Sequence, residues 1–117
     1  MLKASVGDRG VVFVKVNLRD LFWVSDESFA RGGLNRVSQK HVDFLVCDSD
    51  SMVPRFAVEL DDASHLLASS RASDEVKNEA FASARLPLVR IRFRWSYDVA
   101  EVRNEIAAQV ASLVASR

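Results

Sequence analysis

The sequence predicts an α/β domain with an α+β mixed sheet. Helices pack on this sheet, which is built around a central hairpin. Two observations lead to this prediction. Strand-like and helical segments follow one another in the order strand, strand, strand, helix, strand, helix. A short polar loop joins the second strand to the third, which makes them an antiparallel hairpin, while the strand after the helix can return parallel to the third.

The first half of the chain contains the first three strands. Residues 11–18 form the first, because VVFVKVNL is rich in β-branched residues that partly alternate. A long connection over 19–40 follows. The hairpin then comprises strands at 42–47 and 55–60, and the loop at 48–54 is rich in Asp and Ser and ends in Pro.

The second half alternates helix and strand. Residues 61–70 are predicted to be loop and 71–85 a helix, with acids near its start that suit the helix dipole. The run PLVRIRFRW predicts a strand at 87–95. The last helix begins at Asp98, with Glu101 as its capping-box partner and apolar residues along one face.

Composition limits the classes of protein to which the chain can belong. Its 117 residues suit one domain, 1–117, with one hydrophobic core. The 16 basic and 16 acidic side chains cancel, so any nucleic-acid contact must come from local clusters of charge. The single cysteine suits a reducing compartment, and neither a signal peptide nor a membrane span is visible. We therefore expect a cytoplasmic protein without membrane contact, of open oligomeric state.

Acidic residues inside the hairpin strands are the most unusual feature. A loop centred on Ser51 pairs Phe44 with Val58 and places Asp43 opposite Glu59, with Cβ atoms roughly 4.5–5.5 Å apart. Asp61 lies on the same face as Glu59, because strand side chains alternate with period two. Three carboxylates are thus expected to converge, and a divalent cation would relieve their repulsion. Solvation of the strand ends, a shared proton or a neighbouring arginine would relieve it as well.

Two further side chains are candidates for the same site. Lys77 falls within the apolar arc of its helix, so its ammonium needs either a carboxylate partner or a route to solvent. His65 follows four residues after Asp61 and is a candidate general base, a water-orienting group or an incidental loop histidine.

A basic strand offers a possible surface for nucleic acid. Arg90, Arg92 and Arg94 alternate with apolar residues, and Trp95 follows. Three arginines on one face suit phosphates, and an exposed tryptophan suits a base or sugar. Alternatively, the arginines protect a solvated sheet edge from pairing, or Arg90 pairs with an acid.

The order of these segments resembles the bacterial family known as domain of unknown function 2726, in the PD-(D/E)XK, or restriction-endonuclease-like, superfamily. The matching pieces are QKHVDF at 39–44, VELDDASH at 58–65, the helix at 71–77 and LPLVRI at 86–91. The resemblance implies a restriction-endonuclease-like core and a nuclease that needs Mg²⁺ or Mn²⁺, with DNA as the expected substrate and RNA as the second choice. It also implies a helix before the first strand, for which only about ten residues are available.

The resemblance assigns roles residue by residue. Asp43 and Glu59 take the metal-binding positions, with the Leu60 carbonyl as a further ligand. The superfamily's lysine falls at Asp61, as in the very-short-patch-repair endonuclease relatives, where its role passes to a histidine or to a lysine of the next helix. His65 and Lys77 match those two positions.

Basic residues around this site are the candidate contacts to nucleic acid: Arg36, Lys40, Arg71 and Arg90. Two other functions stay open. A catalytically degenerate domain of the same fold would bind nucleic acid without cutting it. A small protein-interaction module would dock a partner on the apolar face of the last helix, which continues to Val114.

Overall fold

A computed structural model of the chain describes residues 2–22, 40–61 and 68–115. Its elements, in chain order, are helix α1 (Leu2–Val6), a 3-10 turn (Gly7–Arg9), strand β1 (Gly10–Asn17), helix α2 (Leu18–Leu21), strands β2 (His41–Asp48) and β3 (Pro54–Asp61), helix α3 (Ala68–Ser83), strand β4 (Leu88–Arg92) and helix α4 (Val99–Ala115).

The four strands form one mixed sheet in the order β1-β2-β3-β4. β1 and β3 each pair antiparallel with β2, whereas β4 returns through α3 to lie parallel to β3. The hairpin register is the predicted one from the Phe44–Val58 pair to the Val46–Phe56 pair, but it shifts by one residue next to the turn, where Cys47 pairs with Pro54. The prediction of a mixed α/β sheet with a central hairpin is therefore confirmed.

Helices cover both faces of the sheet. On one face, Leu2 of α1 and Val102 and Ile106 of α4 pack in one cluster with strand residues such as Val58 and Ile91. On the other face, Leu18 of α2 and Phe81 of α3 pack on the hairpin. Alternation from Phe44 to Cys47 sends successive side chains into these two clusters, whereas Val42 packs in the second cluster although Phe44 and Val46 pack in the first.

Local hydrogen bonds define the start of α4 and the end of α3. Asp98 caps α4 as predicted, because its Oδ1 accepts the Glu101 amide at 3.1 Å. α3 ends at Ser83 in a Schellman motif, in which the amides of Arg85 and Leu86 donate to earlier carbonyls of the helix. Arg85 takes the left-handed position of this motif, with φ +55°, where glycine is the usual residue.

Several predicted boundaries were wrong. α3 begins at Ala68, three residues before the predicted start, and stops before 85. β4 ends at Arg92, not at 95, because the Arg94 amide donates to the Tyr97 hydroxyl and the chain turns. The five-residue helix α1 was not predicted from the local pattern, although the family resemblance implies a helix before the first strand. Most of the connection at 19–40 lies outside the described residues.

No helix in the described part of the chain combines the length and hydropathy that a bilayer span requires.

Candidate active site at a fork in the sheet

Strands β2 and β3 separate beyond the Phe44–Val58 pair. From there β2 continues to pair with β1 as far as its end at His41, while β3 continues to pair with β4 as far as its end at Asp61. The predicted register would continue from Phe44–Val58 to a pair of Val42 with Leu60, but that pair is absent from the ladder of these described strands, so this part of the register was wrong. We call the resulting gap, bounded by Asp43 and Glu59, the fork.

Carboxylates occupy the fork where ladder hydrogen bonds would otherwise lie. The Leu60 amide donates to Asp43 Oδ2 at 2.8 Å, and the Asp43 amide donates to Glu59 Oε1 at 3.2 Å. Each acid thus satisfies a backbone N–H group of the opposite strand. Asp43 and Glu59 thus lie close together as expected, although they are not register partners in the ladder of the described strands.

The neighbouring strand is distorted at the same level. Lys15 of β1, which stands opposite Asp43, has φ +49°, although the residues on either side of it keep the register with β2. A positive φ is uncommon for a residue other than glycine and stores backbone strain. The irregular backbone therefore extends from β1 across β2 to the fork.

Glu59 is a buried acid with a paired cation. Its residue is only 6% exposed, and Lys77 Nζ lies 3.1 Å from Oε2. Burial raises the pKa of the Glu59 carboxyl above its ordinary value, the Lys77 ammonium opposes this rise, and the Asp43 charge adds to it. The net direction is upward, so desolvation outweighs the ion pair. The predicted carboxylate partner for Lys77 is confirmed.

Asp61 does not join the other two acids. Its Oδ1 lies 3.2 Å from Arg90 Nη1, and the same guanidinium lies 3.5 Å from Asp74 and donates to Asn78 at 3.0 Å. The expected convergence of three carboxylates is therefore wrong: Arg90 enters from β4, where it is the register partner of Glu59. The alternative that Arg90 pairs with an acid is confirmed.

The oxygen donors at the fork suit a hard divalent cation. N–H and C=O of one strand residue point to the same side, so the Leu60 carbonyl faces the fork together with its amide. Two carboxylates and a carbonyl match the ligands of Mg²⁺ and Mn²⁺, and Mg²⁺ commonly keeps several waters beside one or two carboxylates. No group of three His, Cys, Asp or Glu side chains in the described part of the chain assembles as a metal cage. The fork thus fits a cation that takes its other ligands from water or substrate.

The remaining predicted residues are distributed around the fork or lie outside the description. Lys40 directly precedes β2, at the end where the fork opens. His65 and Arg36 lie outside the described residues, and so does the side chain of Arg71. Arg94, beyond β4, lies 2.9 Å from Glu105, which removes it from the predicted row of arginines.

The sequence analysis missed three polar residues that form hydrogen bonds or ion pairs with Arg90 at this site. Asp74 and Asn78 bind Arg90 from the helix face that also carries Lys77, a spacing of three and four residues that the sequence displays. Gln109 of α4 accepts from the Arg90 amide at 2.9 Å and donates to its carbonyl at 2.7 Å. Its amide group satisfies the outer edge of β4, which no periodicity in the sequence predicts.

Comparison with known proteins gives one match. The model of the family described as "Protein of unknown function (DUF2726)" matches residues 1–110, a range that contains the whole fork. No curated protein and no solved structure matches the chain.

Proposed function

We propose that this chain, which belongs to the DUF2726 family of proteins of unknown function, is a metal-dependent phosphodiesterase of restriction-endonuclease-like fold that cleaves nucleic acid, with DNA the first choice. The observation that carries the proposal is the fork. Two strands separate, and two carboxylates and a carbonyl face the gap, while the sheet on either side continues.

Charge supports the same proposal. Asp43 and Glu59 bound the fork, and Lys77 is the cation in contact with them. These three side chains carry one excess negative charge when all are ionised, and a divalent cation would offset it.

Asp43, Glu59 and the Leu60 carbonyl would hold Mg²⁺ or Mn²⁺, which when bound supplies an acidified water and balances charge on the phosphate. The chain's own side chains position the Glu59 carboxylate and the attacking water. Lys77 fixes the Glu59 carboxylate through the 3.1 Å contact, and its ammonium is placed to orient a water beside that carboxylate. His65 is the second candidate for that role, by family resemblance. Arg90 holds Asp61 away from the fork.

A degenerate domain that binds nucleic acid without cutting it is the second candidate. The observation that favours it is Asp61, which stands where the superfamily has its catalytic lysine and which is engaged by Arg90. Such a domain would keep salt-dependent binding and lack hydrolysis.

The test combines metal binding with cleavage. Mn²⁺ is titrated calorimetrically into the wild-type chain and into Asp43→Asn and Glu59→Gln variants, and the same proteins are incubated with labelled single- and double-stranded DNA and with RNA. We expect metal binding and cleavage in the wild type and a loss of both, by at least 100-fold in rate, in each variant.

Asp50→Asn is the matched control, because Asp50 is an exposed acid in the hairpin turn at the other end of these strands. It should behave like the wild type. Circular dichroism checks that every variant is folded. Cleavage that persists in folded Glu59→Gln protein contradicts the proposal, whereas metal-independent binding without cleavage selects the degenerate domain.

A further inference from the structure

A groove lies along the outer edge of β4, on the opposite side of β3 and β4 from the fork. It has a volume of about 790 Å³ and is lined by the end of α3, by β4 and by the C-terminal half of α4. Arg90 lines it and is also the register partner of Glu59 across β3 and β4. Neighbouring strands are about 4.8 Å apart, so β3 and β4 place the groove roughly 10 Å from the fork.

The lining combines an apolar floor with polar and cationic rims. Leu86, Leu88 and Leu113 supply apolar surface, and Asn78 and Ser112 supply hydrogen-bonding groups. Among the described residues, the lining holds two arginines and no carboxylate. Since Asp61 and Asp74 engage Arg90, Arg85 is the arginine placed to meet an anion.

Arg85 stands at a position that disfavours it. Its φ of +55° puts it at the left-handed residue of the Schellman motif, where glycine carries no penalty. An arginine there lowers the stability of the helix end relative to glycine. A strained residue on the rim of a groove is a reason to look for a ligand contact.

We infer that this groove is a nucleotide-binding subsite, which takes a nearby nucleotide of the strand whose phosphate lies at the fork, with Arg85 on its phosphate and the apolar floor under its base. A nucleotide fits the lining because it joins an anion to a flat ring with hydrogen-bonding edges. The volume lies within the range of small-molecule sites. The inference rests on the proposed function in taking nucleic acid as the substrate.

The test measures binding without cleavage. Fluorescence anisotropy follows an end-labelled eight-nucleotide single strand of deoxythymidine in the presence of EDTA, for the wild type and for Arg85→Gly, over a range of salt concentrations. We expect Arg85→Gly to weaken binding about fivefold at low salt and to reduce the salt slope by about 0.7, as for one lost phosphate contact. The same variant should melt at a higher temperature, which shows that the loss of affinity is not a loss of folding.

Arg55→Ala is the control, since it removes the same charge at the start of β3, away from the fork. It should bind like the wild type. Equal losses in both variants, or none in Arg85→Gly, overturn the subsite. An abasic strand of the same length should bind more weakly, and equal binding overturns the role of the apolar floor.

These outcomes separate the two proposals. Arg85-dependent DNA binding by a protein that does not cleave supports the subsite and contradicts the nuclease proposal. Cleavage, together with DNA binding that Arg85→Gly leaves unchanged, supports the nuclease proposal and contradicts the subsite. A wild-type chain that binds no strand removes the subsite as well.

Discussion

Replacing Lys77 by methionine tests the electrostatics of the fork most directly. The Lys77 and Glu59 side chains are 12% and 8% exposed, so their ion pair is largely shielded from water. Methionine keeps most of the stem and removes the charge, leaving the Glu59 carboxylate buried without its cation. Breaking a buried pair in this way destabilises proteins by about 3–5 kcal/mol. Because the Asp43 amide still donates to Glu59, we expect the lower end, about 3 kcal/mol at pH 8.

The loss should depend on pH in a defined direction. The folded-state pKa of Glu59 is raised above its ordinary value of 4.5, so the folded state binds this proton more tightly than the unfolded state. The free energy of unfolding therefore falls as pH rises from about 4.5 through the raised pKa. Lys77 lowers this pKa, so Lys77→Met raises it further and extends the window to higher pH. The free energy of unfolding that Lys77→Met loses relative to the wild type should be small near pH 4.5 and largest near pH 8.

Urea unfolding at pH 4.5, 6 and 8, in EDTA, measures this dependence for the wild type, Lys77→Met, Glu59→Gln and the double variant. In the Glu59→Gln background, Lys77→Met should cost less than about 1 kcal/mol, which gives a coupling energy of about 2 kcal/mol at pH 8. A deficit that is the same at all three values of pH, with no coupling, would refute the reasoning.

Three further predictions concern stability and are measured by the same unfolding experiments. Asp98→Ala should lower the free energy of unfolding by about 1 kcal/mol because α4 loses its N-cap, and Asp98→Asn should keep most of it. Arg85→Gly should raise it by about 1 kcal/mol by relieving the positive φ; a decrease would contradict the assigned strain. Gly10→Ala should lower it by about 1–3 kcal/mol because the added Cβ collides with the Val6 side chain, and Val6→Ala in the same chain should restore part of the loss, whereas the absence of any rescue would contradict this contact.

The sequence predicted the parts of the fold that depend on local pattern. Alternation in the hairpin strands and the polar turn between them set the register, and with it the opposition of Asp43 and Glu59. The helical arc that contains Lys77 predicted a carboxylate partner. The ion-pair partner of Asp61 depended on which strand pairs with β3 and on the register that places Arg90 near Asp61. The residue pattern within a single segment predicts neither of these.

The errors in the ends of α3 and β4, and in helix α1, have identifiable physical causes. α3 stops at a left-handed arginine, so the glycine signal for a helix end is missing. The residues after Arg92 keep the alternation of a strand, yet a hydrogen bond from the Arg94 amide to the Tyr97 hydroxyl turns the chain away. Helix α1 is five residues long and depends on packing of Leu2 against the core, which short-range propensity does not report.

The fork itself is poorly explained by stability. Uninterrupted ladders on both sides of β2 would satisfy the amides of Asp43 and Leu60 with backbone carbonyls and would bury no charge. The chain instead satisfies them with two carboxylates, one of them 6% exposed, and then needs Lys77 to balance the charge. Burying an ion pair seldom gains free energy over an apolar alternative, because desolvation offsets the attraction. The local strain at Lys15 adds to this cost. A costly arrangement that directs oxygen ligands into a gap in the sheet is what a site for a cation and a phosphate requires, and this is the physical basis on which we assign chemistry to the fork.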